Sequence, residues 1–341
     1  MVLAKASFDQ LKALNFLEDY PMKAAILSLA ALTLSAGSSV AAQERMIIPP
    51  GLVGPLAGTM LAAGGADAPA AIIIPGSGPT DRNGNGPLGL KASSCRMLAE
   101  GLMAHGISTL RIDKRGMFAS SKAISDANTV TLHAYADDTL AWAADLRNAT
   151  GQKCVWLMGH SEGGIVALIA ASRSPHDVCG LILIASPGRP LRKVLHDQLD
   201  ANPANAPILP QADAAIAALE KGERYDTKDM HLALMPLFAP AVQGFLISLF
   251  AADPAALARA SKLPLLIISG QEDLQVSKAD GESLSTARPD ATLLSLPSMN
   301  HVLKTVPTGD KAANIASYGD PDKPLASGLA EAIAAFMKAP H

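Results

Sequence analysis

The sequence predicts an α/β chain built on an open, mostly parallel sheet. Short apolar runs alternate with helical patterns over most of the chain, and several runs are apolar on both faces, as strands covered by helices on either side must be. The length agrees: 341 residues, 49% hydrophobic and 17% charged, can bury one large core or two modest ones without staples. In chain order the predicted strands are Ala70–Ile74, Ile107–Ile112, Val155–Met158, Leu181–Ala185, Leu265–Ser269 and Thr292–Leu296. The helical patterns between them cover Leu90–His105, Leu132–Asn148, Gly163–Ser172, Ser277–Ala287 and Leu325–Met337. Residues 46–62 carry two weaker runs, read as an antiparallel lead-in. Pro187–Leu263 holds no convincing strand, only helical patches broken by prolines, and an insertion of that size between two core strands reads as a helical cap. The core is then 43–186 and 264–341, with the cap at 187–263.

The N-terminus reads as an address. Met22-Lys23 opens a stretch, Ala24 to Ala36, that is apolar apart from Ser and Thr; the small-residue tail Gly37-Ser38-Ser39-Val40-Ala41-Ala42 follows. That is the three-part pattern of a signal peptide over 22–42, cleaved after Ala42, with residues 1–21 an upstream extension. The apolar stretch is short of the ~20 residues of a membrane span, so no stable anchor is expected, and the mature protein is expected to be exported, periplasmic or secreted. Lys+Arg 28 against Asp+Glu 31 gives a net charge of −3, without the basic cluster that nucleic-acid binding requires. Cys95, Cys154 and Cys179 match no metal spacing. Cys154 and Cys179 each begin an apolar run, so adjacent strands would make them neighbours and an oxidising compartment would permit a disulfide; two small buried hydrophobes is the favoured reading.

Chemistry concentrates at strand ends. The strand at Val155–Met158 runs into Gly159-His160-Ser161-Glu162-Gly163-Gly164 and a helix pattern follows, the setting in which G-x-S-x-G is a nucleophile elbow. A serine hydroxyl needs a base, and in this arrangement acid and histidine follow later strands in that order. His301, in Met299-Asn300-His301-Val302 after strand Thr292–Leu296, is the candidate base. Asp273, in Gly270-Gln271-Glu272-Asp273 after strand Leu265–Ser269, is the chosen acid, with Glu272 the second choice. An oxyanion needs backbone donors. Glu162, next to the serine, offers one, and the loop Pro75-Gly76-Ser77-Gly78-Pro79 offers another, at Ser77 or failing that Gly78. Gly84-Asn85-Gly86-Pro87-Leu88-Gly89 spells G-x-G-x-x-G but lies away from the strand end and carries Pro87 where a helix should start, so no dinucleotide is expected; with no H-E-x-x-H, P-loop or EF-hand spacing, neither a metal nor another cofactor is implied. Asp113-Lys114-Arg115-Gly116 closes a strand at the same sheet edge and reads as a structural ion-pair turn. An apolar cap stretch around Phe238, Phe245–Leu249 and Phe250 reads equally well as an acyl pocket or as the docking face of the cap.

Taken together, Pro75–Gly84, Asp113–Gly116, Gly159–Gly164, Gly270–Asp273 and Asn300–Lys304 resemble the α/β-hydrolase superfamily, within it bacterial serine esterases whose oxyanion loop reads P-G-S-G-P-x-D-R-N-G. The resemblance implies the α/β-hydrolase fold with a helical cap, a Ser161–Asp273–His301 triad, and hydrolysis of small-molecule carboxylic esters through an acyl-enzyme. Met117-Phe118 departs from the family, which often has a second glycine there. Peptidase of the serine aminopeptidase type and thioesterase are the alternatives on the same triad. A binding protein with a decayed site is the non-enzyme alternative. The sequence carries no indication of oligomeric state.

Overall fold

The computed structural model describes residues 42–65, 67–87 and 89–341. The leader expected over 22–42 and the extension over 1–21 lie outside the described residues, Ala42 excepted. Two lead-in strands, β1 (Gln43–Ile47) and β2 (Leu56–Leu61), pair antiparallel, and β2 pairs antiparallel with β4 (Ser108–Ile112). From β4 onward every pairing is parallel: β3 (Ala70–Ile74), β5 (Val155–His160), β6 (Val178–Ile184), β7 (Leu265–Gly270) and β8 (Thr292–Leu296) complete an eight-stranded sheet ordered β1-β2-β4-β3-β5-β6-β7-β8. The mostly parallel sheet is the one that the sequence pattern anticipates, and the arrangement is the α/β-hydrolase fold that the resemblance implies.

Alternation along the strands builds two cores. Ile72 and Ile74 of β3 pack with helices α2 (Leu132–Thr150) and α3 (Glu162–Arg173), where Trp142 and Leu146 are fully buried. Ile73, one residue out of phase, packs on the opposite face with α1 (Ser94–Ala104) and α11 (Leu329–Lys338). Both of those helices start later than the periodicity suggests. Gly86 N–H donates to Leu90 O and Lys91 N–H to Tyr318 O, which holds the chain off the helix until Ser94. Gly328, at φ 81°, sets the start of α11.

Between β6 and β7 the chain forms α4 (Leu191–Asp200), α5 (Leu209–Glu220), α6 (Met235–Phe238), α7 (Pro240–Phe250) and α8 (Pro254–Ala260). Prolines that interrupt the helical pattern in the sequence turn out to begin helices. Pro210, Pro236, Pro240 and Pro254 each sit in a first turn, where the missing N–H has no intrahelical acceptor to lose. Phe238 and Phe250 are buried in the packing between this layer and the core. After β7 come α9 (Lys278–Ala287), β8 and the short α10 (Lys311–Ala316).

The cysteine expectation is corrected. Cys154 and Cys179 form a disulfide across β5 and β6, their Cα atoms 5.1 Å apart, whereas Cys95 is free and buried. Val155 pairs with Val178 and Trp156 with Gly180, so Cys179 is the extra residue at a register irregularity beside Cys154, a placement that composition alone does not show. Replacing both with serine removes that cross-link and is expected to lower unfolding free energy by about 3 kcal/mol, read as a lowered urea midpoint with a somewhat steeper slope, because the unlinked unfolded chain exposes more surface.

Candidate active site

The elbow follows from what surrounds its glycines. A Cβ on Gly159 would lie 2.2 Å from Gly163 O, one on Gly163 2.3 Å from Ile74 O, and one on Gly164 1.9 Å from Ser186 Oγ. Only bare backbone lets the end of β5 and the start of α3 close this tightly. Ser161, between them, is held at φ 54° and ψ −125°, off the helix and off the strand, its N–H donating to Ile184 O (2.9 Å) and its carbonyl accepting from Ser186 Oγ (2.9 Å). Strain of this kind at a non-glycine residue costs ~1–3 kcal/mol and persists only where the surroundings over-determine it.

His301 sits 4% exposed on a tight loop pinched by pairing of Met299 with Thr305. Its Nδ1 lies 2.8 Å from Asp273 Oδ2. Asp273 Oδ1 accepts the amides of Gln275 (2.7 Å) and Val276 (2.9 Å), which fix the carboxylate with its other oxygen toward the imidazole. Glu272, the second choice from sequence, turns away: its Oε2 accepts from Gly309 N–H (2.9 Å). The acid and histidine loops are bolted by one side chain, Asn314 of α10. Its Nδ2 donates to Glu272 O (2.6 Å) and its Oδ1 accepts from Asn300 Nδ2 (3.0 Å).

Ser161 and His301 both line a cavity of about 270 Å³ walled by the Gly76–Thr80 loop, Leu90, Gln275 and Tyr318. No hydrogen bond joins Ser161 to His301 among the described residues; such bonds are often long before substrate arrives. Gly76 lies against Ser161, where a Cβ would come within 3.1 Å of Ser161 Cβ. Ser77 lines the cavity, and Glu162, as the first residue of α3, has an amide with no intrahelical acceptor. Cys95 also reaches the cavity, but burial pushes its thiol up to about 12, so it stays protonated. A second cavity, about 240 Å³, opens beside the first and shares Ser77, Gly78, Pro79 and Pro236 with it. Phe245, Leu246 and Leu249 of α7 form its apolar wall, and Tyr135 and Glu162 also line it; Phe238 and Phe250 do not.

Two residues escaped the sequence reading. His160 Nε2 donates to the His301 carbonyl (2.8 Å), and burial, aided by the neighbouring His301, pushes its pKa down to about 3, so it is a neutral brace under the His301 loop. Only its place inside the elbow hinted at it. Lys114, read as part of an ion-pair turn, is 4% exposed and donates its Nζ to Gly76 O (2.6 Å), with Glu162 Oε1 at 3.4 Å. Its neighbours behave as that turn: Asp113 accepts from Arg82 N (2.8 Å), and Arg115 grips Asp138 through two contacts of 2.6 Å. Of the G-x-G-x-x-G segment, Gly84, Gly86 and Pro87 line the cavity.

A family model described as serine aminopeptidase, S33, matches residues 89–305, a stretch that runs from just before α1 to the His301 loop. The chain belongs to the serine aminopeptidase S33 family. Among curated proteins, this S33 chain is 30% identical over 240 residues to esterase EstD of Thermotoga maritima, covering 69% of this chain and 54% of that one. It therefore spans about half the length of that relative. Among solved structures, Est1E of Butyrivibrio proteoclasticus, determined with ferulic acid bound, superposes with a TM-score of 0.53 at 16% identity, covering 86% of this chain and 97% of Est1E. A hydrolase of Pseudomonas aeruginosa PA01 gives 0.52 at 19% identity over 89% of this chain and all (100%) of the other. At such identities these two speak for the fold of the S33 chain and for nothing finer.

Proposed function

We propose that the protein is a serine hydrolase that cleaves small-molecule carboxylic esters through an acyl-enzyme. Ser161 Oγ attacks the ester carbonyl while His301 Nε2 takes its proton, and Asp273 holds Nδ1–H and steadies the imidazolium. The Ser77 and Glu162 amides receive the oxyanion. The tetrahedral intermediate collapses as His301 returns the proton to the leaving alcohol, and water then repeats the sequence on the acyl-enzyme. The observation that carries this reading is the 2.8 Å contact between Asp273 and His301, whose imidazole lines one cavity with a serine forced to φ 54°.

Stereochemistry assigns the two cavities. The leaving group must lie on the side of the imidazole that protonates it, which is the cavity lined by His301. The acyl group then runs past the oxyanion donors into the cavity walled by Phe245, Leu246 and Leu249. An apolar acyl chain fits that wall. This favours esters over aminopeptidase substrates, whose ammonium group would need a free carboxylate: among the described residues, the carboxylate lining the second cavity, Glu162, is already paired with Lys114, and none lines the first. The reading includes export, supported by the Cys154–Cys179 disulfide, since such bonds persist in oxidising compartments.

The test is intact mass after treatment with a fluorophosphonate, followed by turnover of an ester series from acetate to octanoate. A single adduct, absent in Ser161→Ala, with turnover rising beyond acetate, is expected. Unlabelled, folded wild type would end the serine-hydrolase reading, and preference for amino-acid amides over all esters would transfer it to the peptidase.

A further inference from the structure

We infer that Lys114 is the positioning residue of the oxyanion hole, aiming and polarising the Ser77 amide through the peptide that joins Gly76 to Ser77. The inference rests on the serine-hydrolase reading and deepens it.

The donor at Ser77 is one end of a peptide unit whose other end is the Gly76 carbonyl. The described chain contains no cis peptide, and in a trans unit C=O and N–H point in opposite directions. Whatever fixes the carbonyl therefore fixes the amide. Lys114 Nζ holds that carbonyl at 2.6 Å from the buried side, so the Ser77 N–H is turned the other way. Thr80 Oγ1 donates to Ser77 O at 3.0 Å and immobilises the next peptide, so the unit bearing the donor is held from both flanks.

The grip also has an electronic consequence. A cation on the carbonyl oxygen draws electron density along the amide and makes its N–H a stronger donor, an effect enlarged where water is excluded. Lys114 and Glu162 side chains are 2% and 3% exposed. Lys114 Nζ further lies 5.2 Å from the centre of the Tyr135 ring, which limits its freedom to swing away. The partner carboxylate belongs to Glu162, whose own backbone amide is the second donor. One buried ion pair thus ties together the two segments that supply the hole, although they come from loops after different strands. That arrangement explains why an ion pair is buried where an apolar contact would cost less to desolvate.

The test compares Lys114→Met, Lys114→Gln and the double variant Lys114→Met/Glu162→Leu with wild type. The readouts are kcat, KM and affinity for an aliphatic trifluoromethyl ketone. Ser161 Oγ adds to that ketone carbon, its proton passes to His301, and the ketone oxygen becomes an oxyanion in the hole. Lys114→Met is expected to lower kcat and ketone affinity in parallel, by about 10–100-fold, short of the ~10²–10³ for deleting a donor outright. KM should stay within about twofold, and Lys114→Gln, whose amide can still donate to Gly76 O, should recover most of both. Folded Lys114→Met with kcat and ketone affinity both near wild type, or with only KM raised, would overturn the inference. Should the single variant fail to fold, the double variant, which leaves neither charge orphaned, is judged by the same criteria. Wild type inert to the fluorophosphonate would overturn both this inference and the reading beneath it, whereas active wild type with unaffected variants overturns this inference alone.

Discussion

Asp273→Asn is expected to lower kcat by about 10⁴-fold with KM nearly unchanged. The size follows from the contacts. Two backbone donors, Gln275 N–H and Val276 N–H, converge on Oδ1, so an asparagine would put its single oxygen there and turn its NH₂ toward His301 Nδ1. The imidazole must then accept at Nδ1 and carry its proton on Nε2, where it can no longer receive the proton of Ser161. Binding is untouched because Asp273 is absent from the cavity wall. Steady-state kinetics with circular dichroism of the variant decide the matter, and a loss under tenfold in folded protein would remove His301 from the role of base.

The largest expected effect on stability is at the elbow. In Gly159→Ala the new methyl would meet Gly163 O at 2.2 Å, Gly163 C at 2.3 Å and Gly164 N at 2.3 Å, all backbone and none free to rotate away. Relief requires prising α3 from the end of β5, and we expect a loss above ~3 kcal/mol, at or beyond the upper end of ordinary overpacking. Gly222→Ala is the control: that glycine has φ +80° but nothing within 4 Å of a Cβ, so only the backbone penalty of ~1–2 kcal/mol applies. Urea midpoints of the two variants should separate clearly. Similar midpoints would mean that the elbow has slack which these distances deny.

The order of chemistry along the chain was legible because each reactive residue sits at a strand end, and strand ends can be read from apolar runs. Ser161, Asp273 and His301 were picked out on that basis, and the geometry brings Asp273 and His301 into contact. The choice of Asp273 over Glu272 has no support in phase, since adjacent residues in a loop carry none; the loop's path sends Asp273 to the imidazole and Glu272 to Gly309. The disulfide was missed for a related reason. A separation of 25 residues does not state strand register, and register decides whether two cysteines stand abreast. Lys114 and His160 act through main-chain carbonyls, which no side-chain motif encodes.

Asn314 carries a consequence for how this protein loses activity on heating. It belongs to a helix of six residues, too short to persist without its tertiary contacts, yet it fastens the carboxylate loop to the imidazole loop. The sheet that carries those loops is eight strands wide, and its central strands are buried on both faces. Warming that frays so small a latch disarms the base while the scaffold remains paired. Inactivation and melting are then two separate events, and the useful working range of the molecule ends at the first.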